Sequence, residues 1–203
     1  MPLPAVISVR KQRSNCLTPM RQTKLHDRQS IRLKGYDYSR PGFYFVTICV
    51  QNMKHIFGRV IDGKMVLNEF GKIAWDFWCQ IDSRYQNTQV DEFVVMPNHM
   101  HGIIEIINPK SMVEVIHESP LPSITEIEII RKHRRKMLIP KIIGWYKMNT
   151  AKQINIMQNT PGQKYWQRNY YEHIIRDEQS LFRIREYIKQ NPKNWNSARF
   201  VSK

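Results

Sequence analysis

Asp91-Glu92-Phe93-Val94-Val95-Met96-Pro97-Asn98-His99-Met100-His101-Gly102-Ile103-Ile104-Glu105-Ile106-Ile107 is the stretch on which the reading of this chain turns. The runs on either side of Pro97-Asn98 are β-branched and apolar, so both read as strands. Pro97-Asn98 between them is turn chemistry. On a strand, residues two apart project to the same face, so His99 and His101 point one way and Met100 the other. Two neutral imidazoles side by side on a rigid sheet form half of a divalent-cation site. Alone, His-x-His is a weak signal, because two packed histidines that happen to alternate satisfy it equally.

Outward from that stretch, composition narrows the function classes. The chain has 203 residues, enough for one domain with a real core. Lys and Arg total 32 against 17 Asp and Glu, a formal charge of +15. An excess of that size points to a polyanionic partner, and with this many aromatics to nucleic acid. No stretch approaches the roughly 20 apolar residues of a membrane-spanning helix. Cys16, Cys49 and Cys79 are odd in number and unpaired in spacing, which argues against a disulfide scaffold or a Cys-rich zinc site. The first residues lack the basic start and long apolar core of a signal peptide, so a reducing, cytoplasmic location is the default expectation.

Residues 1–31 are basic and polar without a sustained period and read as a flexible arm; residues 32–203 read as a single domain. Gly42 to Gln51 is β-prone, and Ile56–Val60 and Lys64–Leu67 form an expected hairpin across Asp62-Gly63. Asn68-Glu69 opens a helical run carrying Ile73, Trp75, Trp78 and Ile81. Residues 108–126 read as a connector. Pro140 opens a helix expected to run to about Ile154. A last helix is expected from Ser180 as N-cap, with Leu181, Ile184 and Ile188 as its core face and Asn191-Pro192 as its end. This order predicts an α+β fold, one antiparallel sheet with helices packed on one face.

The HUH-like block (His, bulky apolar, His) from Asp91 to Ile104 resembles that of the single-strand DNA transposases, most closely the REP-associated tyrosine transposases. Two further blocks agree in order. Leu33-Lys34-Gly35-Tyr36-Asp37-Tyr38 with Gly42 to Cys49 resembles the first strand of that branch. Trp166 to Glu178 leads into Tyr187-Ile188-Lys189-Gln190-Asn191-Pro192, which resembles its Tyr-Ile-x-x-Asn-Pro block. The resemblance covers about Arg32 to Trp195. It implies a ferredoxin-like arrangement, a nucleophilic tyrosine that attacks a DNA phosphate, and hairpin DNA as the substrate class.

Two constellations compete for the nucleophile, and the resemblance to the Tyr-Ile-x-x-Asn-Pro block favours the first, with Tyr187 as the expected nucleophile. Tyr187 and Asn191 stand at i and i+4, so they share a helix face. Asn191 offers a hard carbonyl oxygen to complete a His99, His101, Asn191 site for magnesium or manganese. In the other, Tyr170 or Tyr171 attacks and His173 assists. A Tyr187 that merely packs beside Ile184 and Ile188 is the plain alternative to the first.

For DNA contacts, Arg131, Lys132, Arg134, Arg135 and Lys136 can neutralise phosphates with salt-sensitive affinity. Trp166 with Arg168 supplies a ring and a cation for an unpaired base, while Tyr146 reads as core. The expectation is therefore a metal-dependent single-strand DNA endonuclease and strand transferase, acting on single-stranded or hairpin DNA as a monomer or homodimer. The rival from another class is a nucleic-acid-binding protein that keeps the fold without the reaction. A hydrolase using water would need a carboxylate beside the histidines.

Overall fold

Residues 36–107 and 137–195 are described by the computed structural model. The expected arm, the 108–126 connector and the basic run 131–136 lie outside the described residues. The aromatic and β-branched run at the start forms β1 (Gly42–Cys49), and the expected hairpin forms β2 (Gly58–Ile61) and β3 (Lys64–Leu67). Asp62 and Gly63 both take positive φ, 50° and 70°, the conformation that two-residue hairpin turns demand. Asn68 then caps α1 (Glu69–Cys79), accepting from the Gly71 N–H at 3.0 Å, and the short α2 (Ile81–Arg84) follows. The stretch that opened the sequence forms β4 (Thr88–Val95) and β5 (His99–Ile106), as expected.

Three helix ends differ from expectation, each for a local reason. The long α3 (Leu138–Gln158) begins two residues before Pro140, because a proline in the first turn sacrifices no helical hydrogen bond. It continues past Ile154 until Asn159 turns left-handed at φ 53°. After β6 (Tyr171–Ile175), α4 (Glu178–Gln190) is capped by Asp177 rather than Ser180. The Asp177 carboxylate accepts from both the backbone N–H (2.7 Å) and the hydroxyl (2.8 Å) of Ser180, so Ser180 satisfies the cap instead of supplying it. The helix ends at Asn191, as expected.

The sheet runs β4-β5-β1-β6 with every neighbouring pair antiparallel. Because α1 and α2 connect β1 to β4, and α3 lies between β5 and β6, the order is ferredoxin-like, in an α+β fold. One face carries Tyr44, Val46, Ile48, Met100 and Ile104, packed against Trp78 of α1 and Ile139, Ile142, Ile143 and Tyr146 of α3. Gly102 belongs to this face: a Cβ there would stand 2.4 Å from the Trp78 ring, so the sheet and α1 approach as closely as they do only with glycine. The opposite face carries Phe45, Ile103 and Ile175, covered by Leu181 and Ile188 of α4. The expectation of helices on one face thus holds for α1 and α3 and is extended by α4, which takes the other. Among the described residues no helix is long and apolar enough to cross a membrane.

Candidate active site

The α4 face is where the polar chemistry collects. His99 and His101 both project there, 5% and 6% exposed, with ring centroids 4.6 Å apart. Burial pushes the His99 pKa down to about 4; burial, together with the neighbouring His99, pushes that of His101 to about 3. Both rings are therefore neutral over the physiological range.

Which nitrogen of His99 carries the ring's lone pair follows from its neighbours. The Asn98 amide nitrogen donates to the Met53 carbonyl at 3.3 Å, which turns the amide oxygen toward His99 Nδ1 at 2.6 Å. A carbonyl oxygen only accepts, so Nδ1 carries the proton and Nε2 the lone pair. The Met53 carbonyl is set by a tight turn in which Asn52 and Met53 hold φ of 56° and 53°, a conformation that costs energy in residues other than glycine. For His101, Thr47 Oγ1 lies 2.8 Å from Nδ1 and the Tyr187 hydroxyl 3.2 Å from Nε2. One nitrogen donates and the other accepts, and Phe45 stacks on the ring at 5.4 Å.

Tyr187 comes to this position through the way α4 is seated. Leu181, Ile184 and Ile188 form its apolar stripe. At 100° per residue Arg185 and Lys189 fall on one flank of that stripe, Tyr187 and Asn191 on the other. A register shift in β4 between Val90 and Phe93 sets Asp91 and Glu92 in a bulge. Asp91 takes the Arg185 guanidinium, with Nε 3.1 and 3.0 Å from its two oxygens, and Glu92 lies 3.6 Å from Lys189. Both ion pairs hold one flank, and the other presents a half-exposed Tyr187 (50%) to His101. Asn191 follows on the same flank as the helix C-cap, half-buried, with helical backbone angles. Among the described residues, no third His, Cys, Asp or Glu gathers with the two histidines.

No family model matches the chain. An uncharacterized protein of Haemophilus influenzae (strain ATCC 51907 / DSM 11121 / KW20 / Rd) is 40% identical over 171 residues, 84% of this chain and 91% of that one. This chain belongs to the same family. Among solved structures, a REP-associated tyrosine transposase bound to a REP hairpin superposes with a TM-score of 0.47 at 14% identity, covering 81% of this chain and 75% of that one. A candidate transposase of Deinococcus radiodurans R1 gives 0.41 at 15%, covering 78% and 96%. At that level of superposition, the roles of residues in this family member rest on their own geometry.

The competing tyrosines separate by face. Tyr170 packs against the α1–α3 core with its hydroxyl buried, away from the histidines. Tyr171 pairs across from Thr47 and is exposed on the site face, in the row His101–Thr47–Tyr171 that crosses three strands. His173, paired with Phe45, is exposed on the same face. The surface role expected of Trp166 needs correction. Its ring is 6% exposed, packs on Phe57 and Tyr146, and donates from Nε1 to Thr150 at 2.7 Å. An indole buried in the core with its N–H bonded there cannot stack a base. Arg168 is exposed, and Lys147 donates to its carbonyl at 3.0 Å and to that of Gln167 at 2.6 Å. Tyr146 is core, as expected. The phosphate-binding roles of Arg131, Lys132, Arg134, Arg135 and Lys136 fall outside the described residues. Sequence reading missed Asn98 and Thr47 as orienting partners, since one passed for plain turn chemistry and the other for strand propensity.

Proposed function

We propose that this protein is a transposase-like single-strand DNA endonuclease and strand transferase with Tyr187 as nucleophile and hairpin DNA as substrate. The observation that carries the reading is the Tyr187 hydroxyl 3.2 Å from His101 Nε2, on a helix flank open to solvent. A tyrosine held only for packing has no need of a buried imidazole pair whose own partners are fixed by Asn98 and Thr47.

The donor set fits a divalent cation such as magnesium or manganese. Two neutral imidazoles lie side by side, one with its Nε2 lone pair fixed by Asn98, and the amide of Asn191 follows one turn beyond Tyr187. His99, His101 and Asn191 would hold it. When bound, such an ion supplies charge neutralisation at the scissile phosphate. Imidazoles whose proton affinity burial has lowered this far are poor bases for a phenol, which favours the ligand role over general-base catalysis.

In the step itself the Tyr187 oxygen attacks phosphorus in line. The new O–P bond joins Tyr187 to the 5′ phosphate as the P–O3′ bond breaks. The tyrosine proton is released to solvent, and the departing oxygen takes one up to become a free 3′ hydroxyl. The phosphotyrosine bond retains the energy of the broken linkage, so a 3′ hydroxyl can reverse the step or complete transfer without a nucleotide cofactor. Phosphate affinity comes from the basic run 131–136 and Arg168, and should fall steeply with salt.

The test is a denaturing gel of the full chain with 3′-labelled hairpin oligonucleotides whose single-stranded flanks are randomised. A slow-migrating covalent band with manganese, lost with chelator and in His99→Ala/His101→Ala, is expected. Metal-stimulated cleavage without a covalent band would overturn the reading in favour of a water-using nuclease, and binding without either would leave only a nucleic-acid-binding protein.

A further inference from the structure

A second concave site adjoins the histidines. It lies between the β2–β3 hairpin and the turn after α4, has a volume of about 350 Å³, and is lined among others by His55, Arg59, Asp62, Lys193 and Trp195. That volume is at the small end of ligand sites, which run from about 300 to 1,000 Å³. Its walls are built, not incidental. At Gly63, where φ is +70°, a Cβ would lie 3.3 Å from the Lys193 side chain and 3.4 Å from its Cα, so the hairpin turn closes directly on the post-helix turn. Two exposed cations, Arg59 and Lys193, face a single acid, Asp62.

The rings connect this cleft to the proposed reaction centre. Trp195 lies 5.5 Å from His55 and 5.9 Å from His99, His99 lies 4.6 Å from His101, and His101 lies 5.2 Å from Tyr187. Trp195 is thus shared between the cleft and the histidine pair. A partly exposed indole with a neighbouring imidazole, in a small cleft flanked by two cations, matches the chemistry of one unpaired nucleotide: a π-face to stack and a phosphate to neutralise.

We infer that this cleft holds an unpaired nucleotide of the strand flanking the scissile phosphate, stacked on Trp195 and anchored by Arg59 and Lys193. The inference rests on the proposed DNA reading of the histidine site but is read out separately from it. The site would make recognition of the single-stranded flank independent of the hairpin, and would set that flank on the ring that neighbours His99.

The experiment measures equilibrium binding by fluorescence anisotropy, in chelator, on the full chain carrying Tyr187→Phe, so that neither metal nor cleavage enters. The probes are labelled oligothymidylate of ten residues and a ten-residue abasic strand with the same phosphates. Each stacked base should favour the thymidylate by roughly five- to 150-fold. Trp195→Ala should cut that preference at least fivefold, while Trp195→Phe, which keeps a ring, should restore most of it. Arg59→Gln with Lys193→Gln should weaken both strands alike and make the slope of log affinity against log salt shallower by about 1.4. Both cations are exposed, so the second pair reads the site even where Trp195→Ala perturbs folding. A thymidylate preference unchanged in Trp195→Ala, or a salt slope unchanged in the Arg59/Lys193 variant, overturns the inference. Base-dependent binding without any covalent adduct in the unmodified chain would sink the cleavage reading and keep the cleft.

Discussion

The two faces of one four-stranded sheet have been put to opposite uses. Under α1 and α3 lie large apolar side chains, several fully buried, around Trp78, Tyr44 and Tyr146. Under α4, odd-numbered positions of the same strands carry Phe45, Thr47, His99 and His101, and the helix covers only part of them. The β5 backbone serves both faces at once, with Met100 and Gly102 on one side and His99 and His101 on the other. What the contrast teaches is a division of labour: the first face supplies the stability that lets the second bury two imidazoles with lowered proton affinity and leave a tyrosine half in solvent.

Acid should expose that asymmetry most strongly. Burial holds the folded-state pKa values of His99 and His101 at about 4 and about 3, below the ordinary value of 6.5. The folded protein binds fewer protons than the unfolded chain, so stability is complete above pH 6.5 and is lost as pH falls toward 4 and then 3. Each ring contributes up to about 1.4 kcal/mol per pH unit in that window. Urea midpoints measured in chelator should fall steeply between pH 6.5 and 4.5, and His99→Gln/His101→Gln should flatten the fall. An unchanged pH slope in the double variant would show that the α4 face does not pay this cost.

On the opposite face, Trp78→Ala should remove about 3–5 kcal/mol by urea denaturation, because a fully buried indole leaves a cavity that the Gly102 backbone cannot fill. A loss under 1 kcal/mol would mean that the stabilising core lies elsewhere. Asn98→Ala sits between the two: it orphans the Met53 carbonyl and the His99 Nδ1–H in a buried place, for about 1–3 kcal/mol, and should impair manganese-stimulated cleavage more than hairpin binding. Equal loss of binding and cleavage would assign Asn98 to the fold alone. Smallest of all, Tyr187→Phe should cost under about 1 kcal/mol, since half the ring is in water and one hydrogen bond is removed.

Much of this was legible in the chain, and the limits are physical. Alternation placed His99 and His101 on one face, and the 3.6-residue period placed Tyr187 and Asn191 on one flank of the last helix. Strand order followed from the resemblance, because local periodicity carries no information about which strands pair. Register was not legible either, so Thr47 could not be matched to His101, nor Cys49 to His99. The bulge at Asp91-Glu92, which directs two acids to Arg185 and Lys189, interrupts the alternation that sequence reading relies on. Trp166 was misplaced for a related reason: its polar neighbours Gln167 and Arg168 suggested surface, whereas its isolated bridge with Val50 carries the ring into the core.

The central claim, that Tyr187 performs the chemistry, is tested most directly by locating the DNA on the protein. After reaction with labelled hairpin DNA and manganese, tryptic digestion and mass spectrometry should find the nucleotide on the peptide Glu186-Tyr187-Ile188-Lys189, and Tyr187→Phe should yield no adduct while retaining its melting temperature and DNA affinity. Nucleotide on the peptide from Asn169 to Arg176 would contradict the assignment and make Tyr171, the other exposed tyrosine in the row with Thr47 and His101, the nucleophile.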